Sequence, residues 1–341
     1  MNDRRVQGWS RRQFLSTTTL AGTGALLGLR SETTAAEPPP ETTTIKIGQS
    51  PSLCAAPQVV AEELLRSEGF ADVQYVRPAT PALLWPELAS GKAHLTAGGF
   101  SGPFIIRIDT QDPVVLLSGI HTGCFELFGG AGVRAIRDLK GKSVAILARG
   151  GAGHVFIAAM AAHVGLDPRK DINWVVHAAA DAKRLLAEGK VDAYLGFPPD
   201  PQELRAEKIG RVVVNSALDK PWSGYFCCTV GANWEFVRKH PIATKRALRA
   251  ILKAADICAS EPEKVARLLV DKGYTKQYEY ARQALREIPY TRWREYDPED
   301  TIRFYALRLH EAGMIKSSPQ KIIAQGTDWR FLRELKKELK A

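Results

Sequence analysis

From Ile45 onward, short apolar runs alternate with segments whose apolar residues recur every three or four positions. That alternation predicts strands and helices in turn, and hence βαβ units around largely parallel sheets. Strands are expected at 44–50, 72–78, 92–100 and 112–120, and helices at 57–69, opened by Pro57 and closed by Gly69, and at 80–91. They make one α/β lobe. The alternation restarts at "VRAIRDLKGKSVAIL": a strand at 142–147, the glycine turn "ARGGAGH", a helix at 154–164, a strand at 172–177, a helix at 181–189, and strands at 192–197 and 211–216. After "YFCCTVGA" the pattern turns wholly helical, with segments near 233–240, 242–259, 261–272, 277–287, 298–312 and 328–339.

A helical tail of this length has no core of its own, so it is expected to pack back on the first lobe. The chain then crosses to the second lobe near residues 120–140 and returns near 217–232. Two crossings make a hinge with a cleft between the lobes. Ligands of open α/β sheets sit beyond the carboxyl ends of the strands, and here those ends would face each other across the cleft.

The stretch "SRRQFLSTTTLAGTGALLGL" has the layout of a bacterial twin-arginine export signal: Arg11 and Arg12, then Phe14 and Leu15, then a short uncharged run. Small residues from Thr33 to Ala36 offer a cleavage site, so residues 1–36 are set apart from the fold. The product is expected in the periplasm. The formal charge is +10, and removing the five basic and two acidic residues of the first 36 leaves about +7. No basic run is interleaved with stacking aromatics, which argues against nucleic acid as a partner.

Five cysteines, Cys54, Cys124, Cys227, Cys228 and Cys258, show neither CxxC nor a Cys/His zinc spacing. No metal and no cofactor are therefore expected. Any native disulfide would join Cys124 with Cys227 or Cys228. The turn at Arg149–His154 is no dinucleotide fingerprint, because Phe156 stands where a third glycine belongs. "GFSGP" is no nucleophile elbow, since Pro103 replaces the last glycine, and no catalytic residue is assigned.

The pieces "GKAHLTAGG", "DLKGKSVAI", "GKVDAYLGFPP" and "ANWEFVRKHPIATKRALRAILKAADICASEPEKVARLL" together resemble the periplasmic substrate-binding proteins of nitrate, sulfonate and taurine-type ABC importers. The resemblance implies a type II periplasmic binding protein fold, with residues 37–125 and 229–341 in lobe one and 126–228 in lobe two. It also implies a monomer that closes on a small solute and delivers it to an inner-membrane ABC permease and its ATPase. The "YFCCTVGANWEFVRKHP" region also resembles the fungal thiamine-pyrimidine synthases, which carry a C-C-C-F-C stretch at the matching place. Only Cys228 corresponds, so a synthase-like enzyme stands as the alternative, beside a sensor for a membrane signalling partner.

Candidate ligand contacts follow from placement at strand ends, turns and crossings. The backbone amides of Gly151, Ala152, Gly153 and His154 open a helix and suit a carboxylate, sulfonate or phosphate; the same turn also reads as a plain strand-to-helix connection. Ser52 and Cys54 follow the first strand, and Phe100 and Ser101 end the third. Trp85, Phe100, Phe197, Trp222 and Tyr225 suggest aromatic walls suited to a flat or apolar organic ligand, though each alone also reads as core packing. His121 reads either as a donor to an anion or as a structural residue. Arg149 either pairs with ligand or faces solvent.

Overall fold

The computed structural model describes residues 37–50 and 52–340; the segment expected to be a twin-arginine export signal lies outside the described residues. In chain order the first lobe is built from β1 (Thr44–Gly48), α1 (Ala56–Ser67), β2 (Asp72–Val76), α2 (Leu84–Ala89), β3 (Leu95–Phe100), α3 (Ser101–Asp109) and β4 (Val114–Thr122). The second continues with β5 (Glu126–Gly129), β6 (Lys142–Ile146), α4 (Ala152–His163), β7 (Ile172–Val176), α5 (Ala179–Ala187), β8 (Ala193–Gly196), α6 (Asp200–Ala206) and β9 (Arg211–Asn215). The chain returns through β10 (Phe226–Asn233) into α7 (Trp234–Lys239), α8 (Pro241–Ser260), α9 (Pro262–Asp271), α10 (Tyr278–Glu287), α11 (Pro298–Glu311), α12 (Pro319–Gly326) and α13 (Arg330–Glu338). Among the described residues no helix is long and apolar enough to cross a membrane.

Two five-stranded sheets result, ordered β2-β1-β3-β10-β4 and β7-β6-β8-β5-β9. Neither is wholly parallel. β10 runs antiparallel to β3 and β4, and β5 runs antiparallel to β8 and β9. In each sheet the antiparallel strand is the one on which the chain arrives from the other lobe, which explains why the expectation of largely parallel sheets misses it. The expected lobe boundary at 228 falls inside β10, whose paired length lies in the first sheet.

Helix ends follow ordinary capping chemistry. Asn233 accepts from the Phe236 amide at 3.0 Å, Asp297 from Glu299 at 2.9 Å and Ser318 from Lys321 at 3.3 Å. Pro241, Pro262, Pro298 and Pro319 each open a helix, where a missing N–H costs nothing. α3 and α6 lie outside the helices expected from the apolar pattern; Gly102 and Pro103, and Pro199 and Pro201, stand at or beside their starts, where proline is tolerated.

The tail covers the first lobe as expected. α8 lies along α1, and Asp328 N donates to Leu116 O at 2.9 Å, closing the open edge of β4. It also reaches the second lobe. Tyr305 of α11 meets Phe156 of α4 at 6.0 Å between ring centroids, and Gln202 of α6 donates to Glu287 of α10 at 2.9 Å. One continuous apolar core therefore runs through both lobes, with a smaller cluster of Phe128, Tyr194, Leu186 and Leu204 under the second sheet.

Candidate functional site

A cavity of about 450 Å³ opens where the strands of both sheets end. Ser50 and Ser52 follow β1, Thr80 follows β2, and Gly98 to Phe100 end β3; across the cavity stand Ala145 to Ala148 at and just beyond the end of β6, Ala178 after β7, and Leu195 and Phe197 at the end of β8. This is the convergence of carboxyl ends that the two-lobe reading requires. Trp85, Phe100, Phe125 and Phe197 supply aromatic walls. Among the described residues no Asp, Glu, Lys, Arg or His lines the cavity, and, beside the Trp85 indole, the polar lining side chains are the hydroxyls of Ser50, Ser52 and Thr80 together with three thiols.

Close packing behind the walls depends on two glycines. Gly98 has φ +131°, and a Cβ there would stand 2.4 Å from Ala55 Cβ; one on Gly99 would stand 2.4 Å from Trp85 Cζ2. The bare backbone lets the turn after β1 and the Trp85 ring lie against β3. Trp85 is then held by Phe104, 5.1 Å between centroids, and Phe100 by edge contacts to Phe125, Phe156 and Tyr305.

On the second lobe Gly151 caps α4, so the first-turn amides of Ala152, Gly153 and His154 have no partner within the helix. Gly151, Ala152 and Gly153 line the cavity. His154 does not. Its Nδ1 accepts from the Gly150 amide at 3.0 Å, and its ring stands edge-on to Trp174 at 4.6 Å. Burial and the neighbouring Arg149 charge push its pKa down to about 4, so it is neutral and braces the turn. Arg149 is exposed and lies outside the lining.

Of the other expected contacts, Ser52, Cys54, Trp85, Phe100 and Phe197 line the cavity with the α4 glycines. Ser101, His121, Trp222 and Tyr225 do not. Trp222 is buried among Phe156, His163 and Phe304, and Tyr225 stacks on Phe304 at 4.0 Å. Strand-end position alone does not reveal that the tail, through Phe304, draws these two rings away. Phe125, Thr80, Cys227 and Cys228 line the cavity and were not singled out as contacts.

Strand alternation would let only one of Cys227 and Cys228 face the cavity. Both do, because the β10 register against β4 shifts on either side of Cys228, a bulge that re-aims the side chains. Beneath the floor Cys124 Sγ lies 2.8 Å from Cys227 Sγ, and Cys54 Sγ lies 3.5 Å from Cys228 Sγ. All five cysteines are thiols and buried. Burial opposes ionisation of Cys227, yet hydrogen bonds from Cys124 and Cys228 hold its pKa down at about 7. Burial, and then the Cys227 contact, push the Cys124 pKa well up.

Residues 129–270 match the model of the NMT1-like family. The chain is homologous to the nitrate/nitrite binding protein NrtA of Nostoc sp., 25% identical over 320 residues that cover 78% of this chain and 70% of that protein. It is 28% identical over 213 residues to the 4-amino-5-hydroxymethyl-2-methylpyrimidine phosphate synthase THI12 of Saccharomyces cerevisiae, a match spanning 59% of this chain and 62% of the synthase. The alkanesulfonate-binding protein SsuA from Xanthomonas axonopodis pv. citri bound to MOPS superposes with a TM-score of 0.69 at 17% identity, covering 86% of this chain and 100% of that one. The fold is that of the periplasmic binding proteins, and the homology supports a solute-binding role.

Proposed function

We propose that this chain is the periplasmic solute-binding component of an ABC importer, exported by the twin-arginine route. It captures a small organic solute that pairs a flat or apolar body with an anionic head, closes about its hinge, and delivers the solute to the permease and its ATPase. The observation that carries this reading is the cavity itself, about 450 Å³ with aromatic walls, no charged lining side chain among the described residues, and the amino end of α4 opening into it.

Each part of that solute answers a feature of the wall. The apolar body gains roughly 25 cal/mol per Å² buried against the rings. The head accepts from the amides of Ala152 and Gly153, where the helix dipole favours negative charge. A bare nitrate would shed its hydration here with no ring contact and no countercharge in return. Organic sulfonates, aromatic carboxylates and thiamine-pyrimidine precursors fit better. The homology to NrtA and the likeness to SsuA, a protein described as bound to MOPS, support receptor chemistry without a covalent step.

The similarity to THI12 and the buried thiols at the cavity floor favour one second reading, a pyrimidine-synthase-like enzyme. A thermal-shift panel of nitrate, alkane and aryl sulfonates, aromatic carboxylates and thiamine pyrimidines separates the two. A ligand at a hundredfold excess over Kd stabilises the native state by about 2.7 kcal/mol. The receptor predicts a raised Tm with an organic anion, recovered unchanged by mass spectrometry. No shift from any organic anion contradicts the proposal, and a converted product favours the enzyme.

A further inference from the structure

We propose that Cys54, His121, Cys124 and Cys228 form a closed, four-coordinate site for a thiophilic divalent ion of the Zn²⁺ class at the root of the hinge. One ligand atom from each of the four lies within 4.8 Å of every other, and all four side chains are buried. They come from three separate places in the fold: the turn after β1, the end of β4 with the outgoing crossing, and the returning strand β10. The site is therefore invisible to any spacing rule, which is why the sequence points to no metal.

The imidazole carries the second, independent indication. His121 Nδ1 lies 3.0 Å from Thr122 O, and since a carbonyl only accepts, the proton on this side is fixed on Nδ1. Nε2 is fully buried and has no hydrogen-bond partner among the described residues. Metal-bound histidines have this arrangement, the far nitrogen donating to a carbonyl and the near one presenting its lone pair. An orphaned buried nitrogen among three thiols is costly as it stands and satisfied by an ion.

The spacing and the surroundings agree with that assignment. A tetrahedral ion with bonds of about 2.3 Å to sulfur separates two thiolates by about 3.8 Å, near the 3.5 Å between Cys54 Sγ and Cys228 Sγ. Cys227 Sγ lies 2.8 Å from Cys124 Sγ, so the Cys124 thiolate would gain a donor. Three thiolates and a neutral imidazole select a soft or borderline ion over Mg²⁺ or Ca²⁺. With four protein ligands no position is left open, so the ion would pin both lobe crossings to the first lobe.

The test uses the full chain, reduced, desalted without oxygen and loaded with Zn²⁺ or with Co²⁺ as a spectroscopic reporter. The site predicts one ion per chain surviving gel filtration, with thiolate-to-cobalt charge-transfer bands and tetrahedral d–d bands that Zn²⁺ abolishes. Cys228→Ser and His121→Gln should weaken retention at least tenfold, and Cys258→Ser, a buried thiol outside the cluster, should not. The wild-type cobalt spectrum decides the matter even where a variant fails to fold. Absence of stoichiometric ion on the reduced wild type overturns the proposal. So does equal loss in Cys258→Ser, or formation of a Cys124–Cys227 disulfide in the presence of excess Zn²⁺.

Discussion

His94 shows how a single side chain ties pH to stability in this fold. Its ring stacks on Phe236 at 4.2 Å, and its Nδ1 accepts from the Lys46 amide at 3.3 Å, which needs a bare nitrogen. Burial, reinforced by the charge of Lys46, lowers its pKa from the usual 6.5 to about 4. The unfolded chain therefore binds the proton first. Its contribution is fully present above pH 6.5 and is lost as pH falls toward about 4, roughly 1–2 kcal/mol once solvent screening of the half-buried ring is discounted. Proton NMR titration should place the His94 transition near 4, and a transition near 6.5 would contradict the geometry. At this scale Ser52, Trp85 and Phe100 are legible as cavity residues because a strand end or a neighbouring turn forces them there. Trp222 and Tyr225 are not, because their positions depend on Phe304, far along the chain.

Among the elements, α4 carries the anion argument. The run "ARGGAGH" after a strand shows its start, although the helix begins at Ala152 and not at 154. Asp placed at 152 would be favourable to the helix by about 0.3–1 kcal/mol, because a carboxylate complements the positive end of the dipole. The same charge would repel the solute's head. Ala152→Asp should therefore keep or raise Tm while weakening an organic sulfonate or carboxylate at least tenfold by calorimetry; undiminished affinity would remove α4 from the site. Long periodic helices such as α8 are legible from apolar spacing alone. α3 and α6 are not, because proline and glycine mark helix starts as readily as loops. The bulge in β10 leaves no local signal, yet it decides that both vicinal thiols face the cavity.

For the whole molecule, the two crossings and the converging strand ends follow from the order of apolar runs. The reversal of β5 and β10 does not, since strand direction is set by where the chain enters a sheet. The lobes already touch around the cavity. Leu53 N donates to Pro198 O at 3.2 Å and Ser52 Oγ to the same carbonyl at 3.3 Å, while Arg205 ties Glu126 of β5 to Glu287 of α10 at 2.8 and 2.7 Å. A solute held by both lobes adds to these contacts in the closed form only, and that difference is what shifts the hinge.

The central claim is that this solute lies in the cavity between the lobes, and filling the cavity tests it most directly. A Cβ on Gly153 would meet Leu195 Cδ2 at an ordinary 3.7 Å, so Gly153→Leu grows into the cavity without a backbone clash and replaces a glycine inside a helix. Titration calorimetry of the strongest solute from the panel should show at least a tenfold loss of affinity in Gly153→Leu, with Tm unchanged or raised. Equal affinity in the two proteins would place the solute elsewhere and contradict the account.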